Sequence, residues 1–201
     1  IKNKKTLNTV IIIPARIDSS RLKKKLLRNI SGLPMIVRVA QNAENLKMGR
    51  VIVGTDSREI YNECEKNNIE AMMTKSSHKS GTDRVYEVYK ILNKDFDLII
   101  NLQGDLPIFK KDLLEKTTKL FSDDSVDIGS AVCDLEDSEI NDDNIVKARV
   151  VLDDYNEGFA LDFMRTVDCT KNIYHHIGVY IYKPNVLKEF VSLLQSKREK
   201  E

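Results

Sequence analysis

The chain has 201 residues, of which 41% are hydrophobic and 31% are charged, enough for one hydrophobic core but not for two comfortable domains. Its 32 lysines and arginines nearly balance its 31 aspartates and glutamates, so no overall field directs it to nucleic acid or to an anionic membrane. Three widely spaced cysteines, with no visible signal peptide or long apolar segment, favour one cytoplasmic domain over residues 1–201 without membrane insertion.

The first half of the sequence alternates between strand-like and helix-like segments. Residues 9–15 are almost entirely apolar, which is typical of a strand buried on both faces, and apolar residues at helical spacing follow Pro34. The pattern continues with a strand from Val51, a helix capped by Ser57, a strand over 69–73, a helix on Val85, Val88 and Leu92, and a strand over 98–102. This alternation predicts a doubly wound α/β sheet, with ligands beyond the carboxyl ends of its strands.

A smaller region rich in strands is predicted over about residues 125–182. Its strands are 127–133, 145–152, 159–163 and 173–182. A turn rich in Asp, Asn and Gly at 153–158 joins the second and third of these strands into a hairpin. Pro184 then begins a helix whose apolar face consists of Leu187, Phe190, Val191 and Leu194.

The loop after the first predicted strand carries three cations, Arg16, Arg21 and Lys25. Arginine makes paired hydrogen bonds to phosphate oxygens and lysine supplies a compact charge, so the loop suits a triphosphate that releases pyrophosphate. Taken alone, a solvated basic loop explains the segment equally well.

Asp105 follows the predicted strand over 98–102 and therefore emerges at the same sheet edge as the basic loop. Proteins usually hold Mg²⁺ with one or two carboxylates, together with substrate phosphates and water. We predict that Asp105 binds Mg²⁺, although a Gly-Asp pair after a strand is also a common turn.

Residues 78–84 read His-Lys-Ser-Gly-Thr-Asp-Arg and precede a predicted helix. Ser80 or Thr82 can cap that helix while its first backbone N–H groups face a base or a phosphate, and a cap without a ligand is an equally good interpretation. His175 and His176 are adjacent in a predicted strand, so they face opposite sides and only one can face a given pocket. Single histidines in strands are more often structural.

A series of short motifs runs along nearly the whole chain. In order they are Ile13-Pro-Ala-Arg16, Ser20-Arg-Leu22 with Lys25, Gly32-Leu-Pro-Met-Ile36, Gly54-Thr-Asp56, His78 to Arg84, Gln103-Gly-Asp105 and His176-Ile-Gly-Val-Tyr180. In this order and spacing they resemble the CMP-Kdo synthetase family, the 3-deoxy-manno-octulosonate (Kdo) cytidylyltransferases. Ser-Gly-Thr-Asp-Arg and the later His-Ile-Gly-x-Tyr are the most specific of these motifs.

The resemblance implies a Rossmann-like nucleotidyltransferase fold, with a mostly parallel sheet flanked by helices. It also implies a homodimer, formed through the β-hairpin region, and a role in lipopolysaccharide biosynthesis. In the implied reaction the anomeric hydroxyl of Kdo attacks the α-phosphorus of CTP and pyrophosphate leaves, with Mg²⁺ as the cofactor. Positioning and charge neutralisation dominate such a reaction.

The resemblance further assigns roles to individual residues. The catalytic groups are Arg16, Lys25 and Asp105, and Asp105 is the metal ligand. The implied CTP site consists of Ala15, Arg16, Arg21, Lys25, Ser80 and Gly81. The implied Kdo site consists of Lys75, Gln103, Arg165, His176 and Tyr180, with Arg165 pairing with the sugar carboxylate.

Some positions depart from the family pattern. The phosphate loop reads Arg21-Leu-Lys-Lys-Lys-Leu26 where the family has Arg-Leu-Pro-Gly-Lys-Pro, so a glycine is lost and two lysines are added. Lys75 replaces an Arg, and Leu106 replaces an acidic residue. The family also has a later segment with a second metal-binding aspartate, so we expect the natural protein to continue beyond Glu201.

Two other functions stay open at this point. One is a cytidylyltransferase for another acidic sugar such as a sialic acid, which product analysis would distinguish. The other is a catalytically silent nucleotide-binding module, which would bind CTP without releasing pyrophosphate. RNA binding is disfavoured because the lysine cluster lacks interleaved aromatic residues.

Overall fold

The computed structural model describes residues 7–17, 24–167 and 171–194. The strands within these ranges are β1 (Thr9–Ala15), β2 (Asn29–Ile30), β3 (Leu33–Pro34), β4 (Arg50–Thr55), β5 (Ala71–Met73), β6 (Leu98–Leu102), β7 (Ile128–Cys133), β8 (Lys147–Val150), β9 (Ala160–Met164) and β10 (Ile173–Tyr182). The α-helices are α1 (Met35–Asn45), α2 (Arg58–Lys66), α3 (Gly81–Leu92), α4 (Lys111–Lys119) and α5 (Pro184–Phe190).

The first half of the main sheet is parallel and has the order β5-β4-β1-β6. All residues of β6 and all but one of β1 are buried. Helices cover both faces of these strands, which is why their sequences are nearly uninterrupted apolar runs. The predicted α/β sheet is therefore confirmed.

The second half of the same sheet is antiparallel. β10 pairs with β6 through residues 179–182 and with β8 through residues 173–175, and β7 runs along its other edge. β9 pairs with β8 and ends this side of the sheet. The predicted hairpin, with its turn rich in Asp, Asn and Gly, is thus confirmed as β8 and β9.

Two hydrophobic clusters cover the two faces of the sheet. One includes Ile36 of α1, Ile60 of α2 and Leu114 of α4. The other includes Val85 of α3 and Leu187 of α5. No helix in the described part of the chain is long and apolar enough to cross a membrane.

The helices differ from the predicted ones at two places. α5 ends at Phe190, and of its predicted apolar face only Leu187 is fully buried. Leu194 lies beyond the helix and is 95% exposed, so the prediction that it completes a buried face is wrong. α4 has no counterpart among the predicted elements, because its cap residue, Lys110, makes no side-chain capping bond that would mark the start in the sequence.

Candidate active site

The carboxyl ends of the parallel strands bring the first predicted site residues to one edge of the sheet. Ile12 in β1 lies opposite Asn101 in β6. β1 ends at Ala15 and β6 ends at Leu102, at the same edge of the sheet, and Gln103 and Gly104 follow Leu102 in the chain. Asp105 follows Gly104 directly, so the end of β1 and the predicted metal ligand share this edge, as the sequence predicts.

Lys25 and Asp105 form a direct ion pair. The Nζ atom of Lys25 lies 2.6 Å from Oδ2 of Asp105, and the side chains are 36% and 45% exposed, so a ligand can reach both. Leu26 packs against the core under this contact, where a Cβ atom at Gly104 would lie 3.4 Å from its terminal carbons. The predicted proximity of Lys25 and Asp105 is confirmed.

The other cations of the loop have different surroundings. Arg16 is exposed and forms no ion pair with any residue that the structure describes. Arg21, predicted to hold CTP phosphates, lies outside the described residues. The Nζ atom of Lys24, one of the two added lysines, lies 2.6 Å from Oε2 of Glu59 on α2. Its charge is therefore paired with α2 and is not added to the pair at Asp105.

The N-terminus of α3 lies beside the end of β1. Ser80 caps the helix: its Oγ accepts a hydrogen bond from the backbone N–H of Asp83, whose Oδ2 accepts one from the backbone N–H of Ser80. A Cβ atom at Gly81 would lie 3.3 Å from Cγ of Pro14. The backbone N–H groups of Gly81 and Thr82 have no partner among the described residues, so this end of α3 offers donors to a ligand.

A buried ion pair and a glycine hold α3 in this position. Arg84 is 3% exposed and donates from Nη2 to Oδ2 of Asp56 at 2.7 Å. A Cβ atom at Gly54 would lie 2.6 Å from Cγ2 of Val88, so glycine is needed for α3 to lie this close to β4. These motif residues therefore act on the site indirectly, by fixing the helix whose N-terminus faces it.

Gln103 occupies space that a glycine of β10 leaves open. A Cβ atom at Gly178 would lie 2.9 Å from Cγ of Gln103. The Nε2 atom of Gln103 donates to Oδ1 of Asn101 at 3.4 Å, and Nδ2 of Asn101 donates to Oγ1 of Thr82 at 3.5 Å. Asn101 is 1% exposed and links Gln103 to the start of α3. Sequence reasoning missed Asn101, although a polar residue inside an apolar strand was a usable signal.

The adjacent histidines face opposite sides of β10, as predicted. Nδ1 of His175 lies 2.9 Å from Oε1 of Glu139. His176 is 7% exposed, and its ring centroid lies 4.9 Å from that of Phe163 and 5.3 Å from that of Tyr180. Burial, with a smaller effect of the nearby His175, lowers the pKa of His176 to about 4, and burial raises the pKa of Tyr180. Both rings are therefore uncharged at neutral pH.

A buried lysine that sequence reasoning missed holds Arg165 at the end of β9. Nη1 of Arg165 donates to the backbone oxygen of Asp143 at 2.8 Å, and its side chain is exposed. Lys147 is 0% exposed, and its Nζ donates to the backbone oxygens of Asp142 and Arg165, both at 2.7 Å. The ammonium of Lys147 thus connects the backbone at Arg165 to the loop before β8. This connection limits the positions that the guanidinium of Arg165 can reach. The signal was a lysine within a predicted strand.

Lys75, another residue of the predicted Kdo site, forms its hydrogen bonds with α3. Its backbone N–H donates to Oε2 of Glu87 at 2.9 Å, and its backbone oxygen accepts a hydrogen bond from Arg84. The residue lines an open cleft of about 700 Å³ that also includes Val191, just after α5. No hydrogen bond or ion pair among the described residues joins Lys75 to the rest of the predicted Kdo site.

Asp105 is the single carboxylate that the sequence predicts as a metal ligand. Among the described residues, no group of three or more His, Cys, Asp or Glu side chains could hold a metal ion. Oδ2 of Asp105 is bonded to Lys25, whereas Oδ1 accepts no hydrogen bond within the described part of the chain. One carboxylate suits Mg²⁺, provided that phosphates and water supply the other ligands. The residues therefore fit this ion in the presence of a nucleotide.

Comparison with known proteins identifies the class of protein to which the chain belongs. Residues 10–201 match the profile of the cytidylyltransferase family. The fold is shared with 4-diphosphocytidyl-2C-methyl-D-erythritol synthase from Anaerococcus prevotii, with a TM-score of 0.62 at 13% identity over 96% of this chain and 80% of that one. The fold is therefore that of a nucleotidyltransferase.

Relatives of higher sequence identity identify one group of enzymes within this family. The 3-deoxy-manno-octulosonate cytidylyltransferase of Brucella anthropi is 38% identical over 201 residues, which are 97% of this chain and 81% of the relative. The enzyme of the same name from Bartonella tribocorum is 38% identical over 96% of this chain and 82% of its own length. A structure of CMP:2-keto-3-deoxy-manno-octonic acid synthetase complexed with CTP matches with a TM-score of 0.82 at 31% identity, over 96% of this chain and 81% of that one. The chain belongs to the cytidylyltransferase family and, within it, to the 3-deoxy-manno-octulosonate cytidylyltransferases.

Proposed function

We propose that this protein transfers CMP from CTP to the anomeric hydroxyl of Kdo, giving CMP-Kdo and pyrophosphate for lipopolysaccharide biosynthesis. The observation that carries the proposal is the ion pair of Lys25 and Asp105, a cation and a carboxylate from distant parts of the chain at the edge where α/β sheets bind ligands. The relatives named for Kdo favour this sugar over a sialic acid. Cys64 and Cys133 are unpaired, which supports a cytoplasmic location.

CTP binds between the end of β1 and the N-terminus of α3 in this proposal. Arg16 and Lys25 pair with its phosphates and neutralise the pyrophosphate as it leaves. The cytidine lies against Ala15 and Gly81, whose small size leaves room for it, and the first backbone N–H groups of α3 donate to it. Because the hydroxyl of Ser80 is already used in the helix cap, we expect Ser80 to hold those donors in place.

Mg²⁺ is the proposed cofactor. Asp105 holds it together with phosphate oxygens of CTP and water. When bound, the ion screens the phosphates and lowers the pKa of the attacking hydroxyl. Because Lys25 is bonded to Oδ2 of Asp105, it orients this carboxylate and leaves Oδ1 for the ion.

The sugar is recognised by residues from the antiparallel half of the sheet and from the end of β6. The exposed guanidinium of Arg165 pairs with the sugar carboxylate, for which its two parallel N–H donors are suited. Gln103, His176 and Tyr180 offer uncharged hydrogen-bonding groups to the hydroxyls. Lys75 has the least support among the proposed contacts, because its described contacts are with α3.

A homodimer formed through β9 is the proposed assembly. β9 ends one side of the main sheet and leaves an edge without a neighbouring strand among the described residues. Phe159, Leu161 and Phe163 are 73%, 65% and 43% exposed, and their alternate positions place them on one face. We name these three residues the β9 strip. A second copy that covers this strip would bury apolar surface and protect the strand edge from other partners.

Pyrophosphate release by the purified protein with CTP, Kdo and Mg²⁺ tests the proposed reaction. We expect release with this pair of substrates and little release when UTP replaces CTP or a sialic acid replaces Kdo. Mass spectrometry then identifies the product as CMP-Kdo. Equal release with a sialic acid would indicate a different sugar, and CTP binding without any release would indicate a silent nucleotide-binding module.

A further inference from the structure

Ser130 of β7 forms two hydrogen bonds beside the proposed sugar site, although no sequence motif includes it. Its Oγ lies 2.8 Å from Nε2 of His176. The same Oγ lies 2.7 Å from the backbone oxygen of Val179, to which it donates. The two contacts together determine which nitrogen of the imidazole carries the proton.

The hydrogen bond to Val179 follows from an irregularity in the sheet. β7 and β10 lose their register after Ile177 and regain it at Tyr180. Gly178 and Val179 therefore have no opposite residue on β7. Val179 is fully buried, and the hydroxyl of Ser130 donates to its backbone oxygen at this irregular point of the β7–β10 pairing.

A serine hydroxyl has a single proton. Because Ser130 gives that proton to Val179, its Oγ can only accept a hydrogen bond from His176, and Nε2 of His176 must carry a proton. His176 is 7% exposed, and burial lowers its pKa to about 4, so the ring is neutral and has one N–H. Nδ1 is then an acceptor.

Nδ1 of His176 remains available to a ligand. No described residue forms a hydrogen bond with it. It is also not fully buried. In the described part of the chain, Oγ1 of Thr118 is the single fully buried side-chain polar atom without a partner. This nitrogen belongs to a ring that packs against Tyr180, another residue of the proposed Kdo site.

We propose that Ser130 is a positioning residue that fixes His176 as the Nε2–H tautomer, so that Nδ1 accepts a hydrogen bond from a hydroxyl of the acidic sugar. The identity of the ligand rests on the proposed function. A neutral acceptor cannot bind a carboxylate, so this tautomer leaves the carboxylate to Arg165 and makes His176 selective for a hydroxyl. A sugar without that hydroxyl leaves Nδ1 unpaired and binds more weakly.

The test combines two measurements on Ser130→Ala. Nitrogen-15 NMR of the histidine rings reports the tautomer in the free protein, and steady-state kinetics report KM for each substrate. We expect Nε2–H at His176 in the wild type and a mixture of tautomers in the variant. We expect KM for Kdo to rise about three- to tenfold, the loss of one neutral hydrogen bond, while KM for CTP stays within about twofold.

Two further variants separate this role from a general structural effect. Ser130→Thr keeps the hydroxyl and should restore both the tautomer and KM for Kdo. Ser192→Ala removes a hydroxyl just after α5, which donates to the backbone oxygen of Glu189 at 2.6 Å and forms no hydrogen bond with β7 or β10, and should change neither.

Protonation of Nδ1 in the wild type would overturn the assignment, and this result needs neither a substrate nor a variant that folds. A changed tautomer in Ser130→Ala with an unchanged KM for Kdo would overturn the sugar hydroxyl as the ligand. An inactive wild type that shows Nε2–H would contradict the proposed reaction while supporting the tautomer.

Discussion

Lys25 and Asp105 are separated by 80 residues in the sequence, yet the ammonium of the first lies 2.6 Å from the carboxylate of the second. Both side chains are substantially exposed. Exposed ion pairs of this kind contribute about 0–1 kcal/mol to stability. The pair therefore adds little to the stability of the fold, and its position at the carboxyl edge of the sheet is the one that the proposed nucleotide site requires.

Asp105→Ala is expected to reduce CMP-Kdo formation by at least about 1000-fold, because it removes the carboxylate assigned to Mg²⁺. The melting temperature should change by less than a few degrees. Asp112→Ala is the matched control, since Asp112 pairs with Lys116 at 3.5 Å on α4 and is also exposed. Turnover above about a tenth of the wild-type value in Asp105→Ala would remove this residue from the mechanism.

Lys147→Met is expected to lower the free energy of unfolding by about 2–4 kcal/mol, because it removes a buried ammonium that donates to the backbone oxygens of Asp142 and Arg165. KM for Kdo should rise as Arg165 loses its support. Urea unfolding and steady-state kinetics measure the two effects. Lys183→Met is the control: Lys183 donates to the backbone oxygen of Asp124 at 2.7 Å but is partly exposed. An equal loss of stability in both variants would contradict the special role of Lys147.

The free energy of unfolding should depend on the ionisation of His176, whose pKa is lowered from 6.5 to about 4 by burial and, less strongly, by His175. Between these values the unfolded chain binds a proton that the folded chain does not, so stability falls as the pH drops through this range and levels off below it. The loss at about pH 5.5 is on the order of 1 kcal/mol.

Urea unfolding at about pH 7.5 and about pH 5.5 measures this loss in the wild type and in His176→Gln, which has no titrating group there. The variant should lose less stability between the two values. The same loss in both proteins would mean that other groups cause it.

Gly178→Ala should displace Gln103, because the added methyl would lie 2.9 Å from its Cγ. We expect KM for Kdo to rise about tenfold and the free energy of unfolding to change by less than about 1 kcal/mol, since the Gln103 side chain can rotate away. Kinetics of the double variant Gln103→Ala/Gly178→Ala provide the check. If the effects on KM simply add, the glycine does not act through Gln103.

Leu161→Glu is expected to prevent self-association, because it places a charge in the β9 strip. Analytical ultracentrifugation should show a dimer for the wild type and a monomer for this variant. Leu194→Glu changes an even more exposed leucine elsewhere and should leave the dimer intact. A monomeric wild type at micromolar concentration would rule out the proposed assembly.

Much of the site could be predicted because it depends on the parallel half of the sheet. The apolar runs of β1 and β6 are long and unambiguous, and parallel neighbours end at the same edge. The proximity of Lys25 and Asp105 could therefore be predicted from the sequence alone. Gly104 packs against Leu26 next to this ion pair, and this packing could not be read from the sequence.

Residues that depend on irregular pairing could not be predicted. Ser130 matters because β10 has a bulge, and a bulge shifts which residues face each other without leaving a mark in the local pattern. Lys147 is a similar case. A lysine in a predicted strand is normally assigned to the solvent face, and only the positions of two backbone oxygens show why this one is buried.

Phe163 belongs to two surroundings at once. Its ring is 43% exposed in the β9 strip, and it also meets the ring of His176 edge to face, at 4.9 Å. One side chain thus packs against His176 of the proposed sugar site and also forms part of the proposed contact between subunits. If the proposed dimer dissociates on dilution, Phe163 loses the subunit that covers it and supports His176 less firmly. Catalytic efficiency would then decrease as the protein is diluted, although every catalytic group is intact.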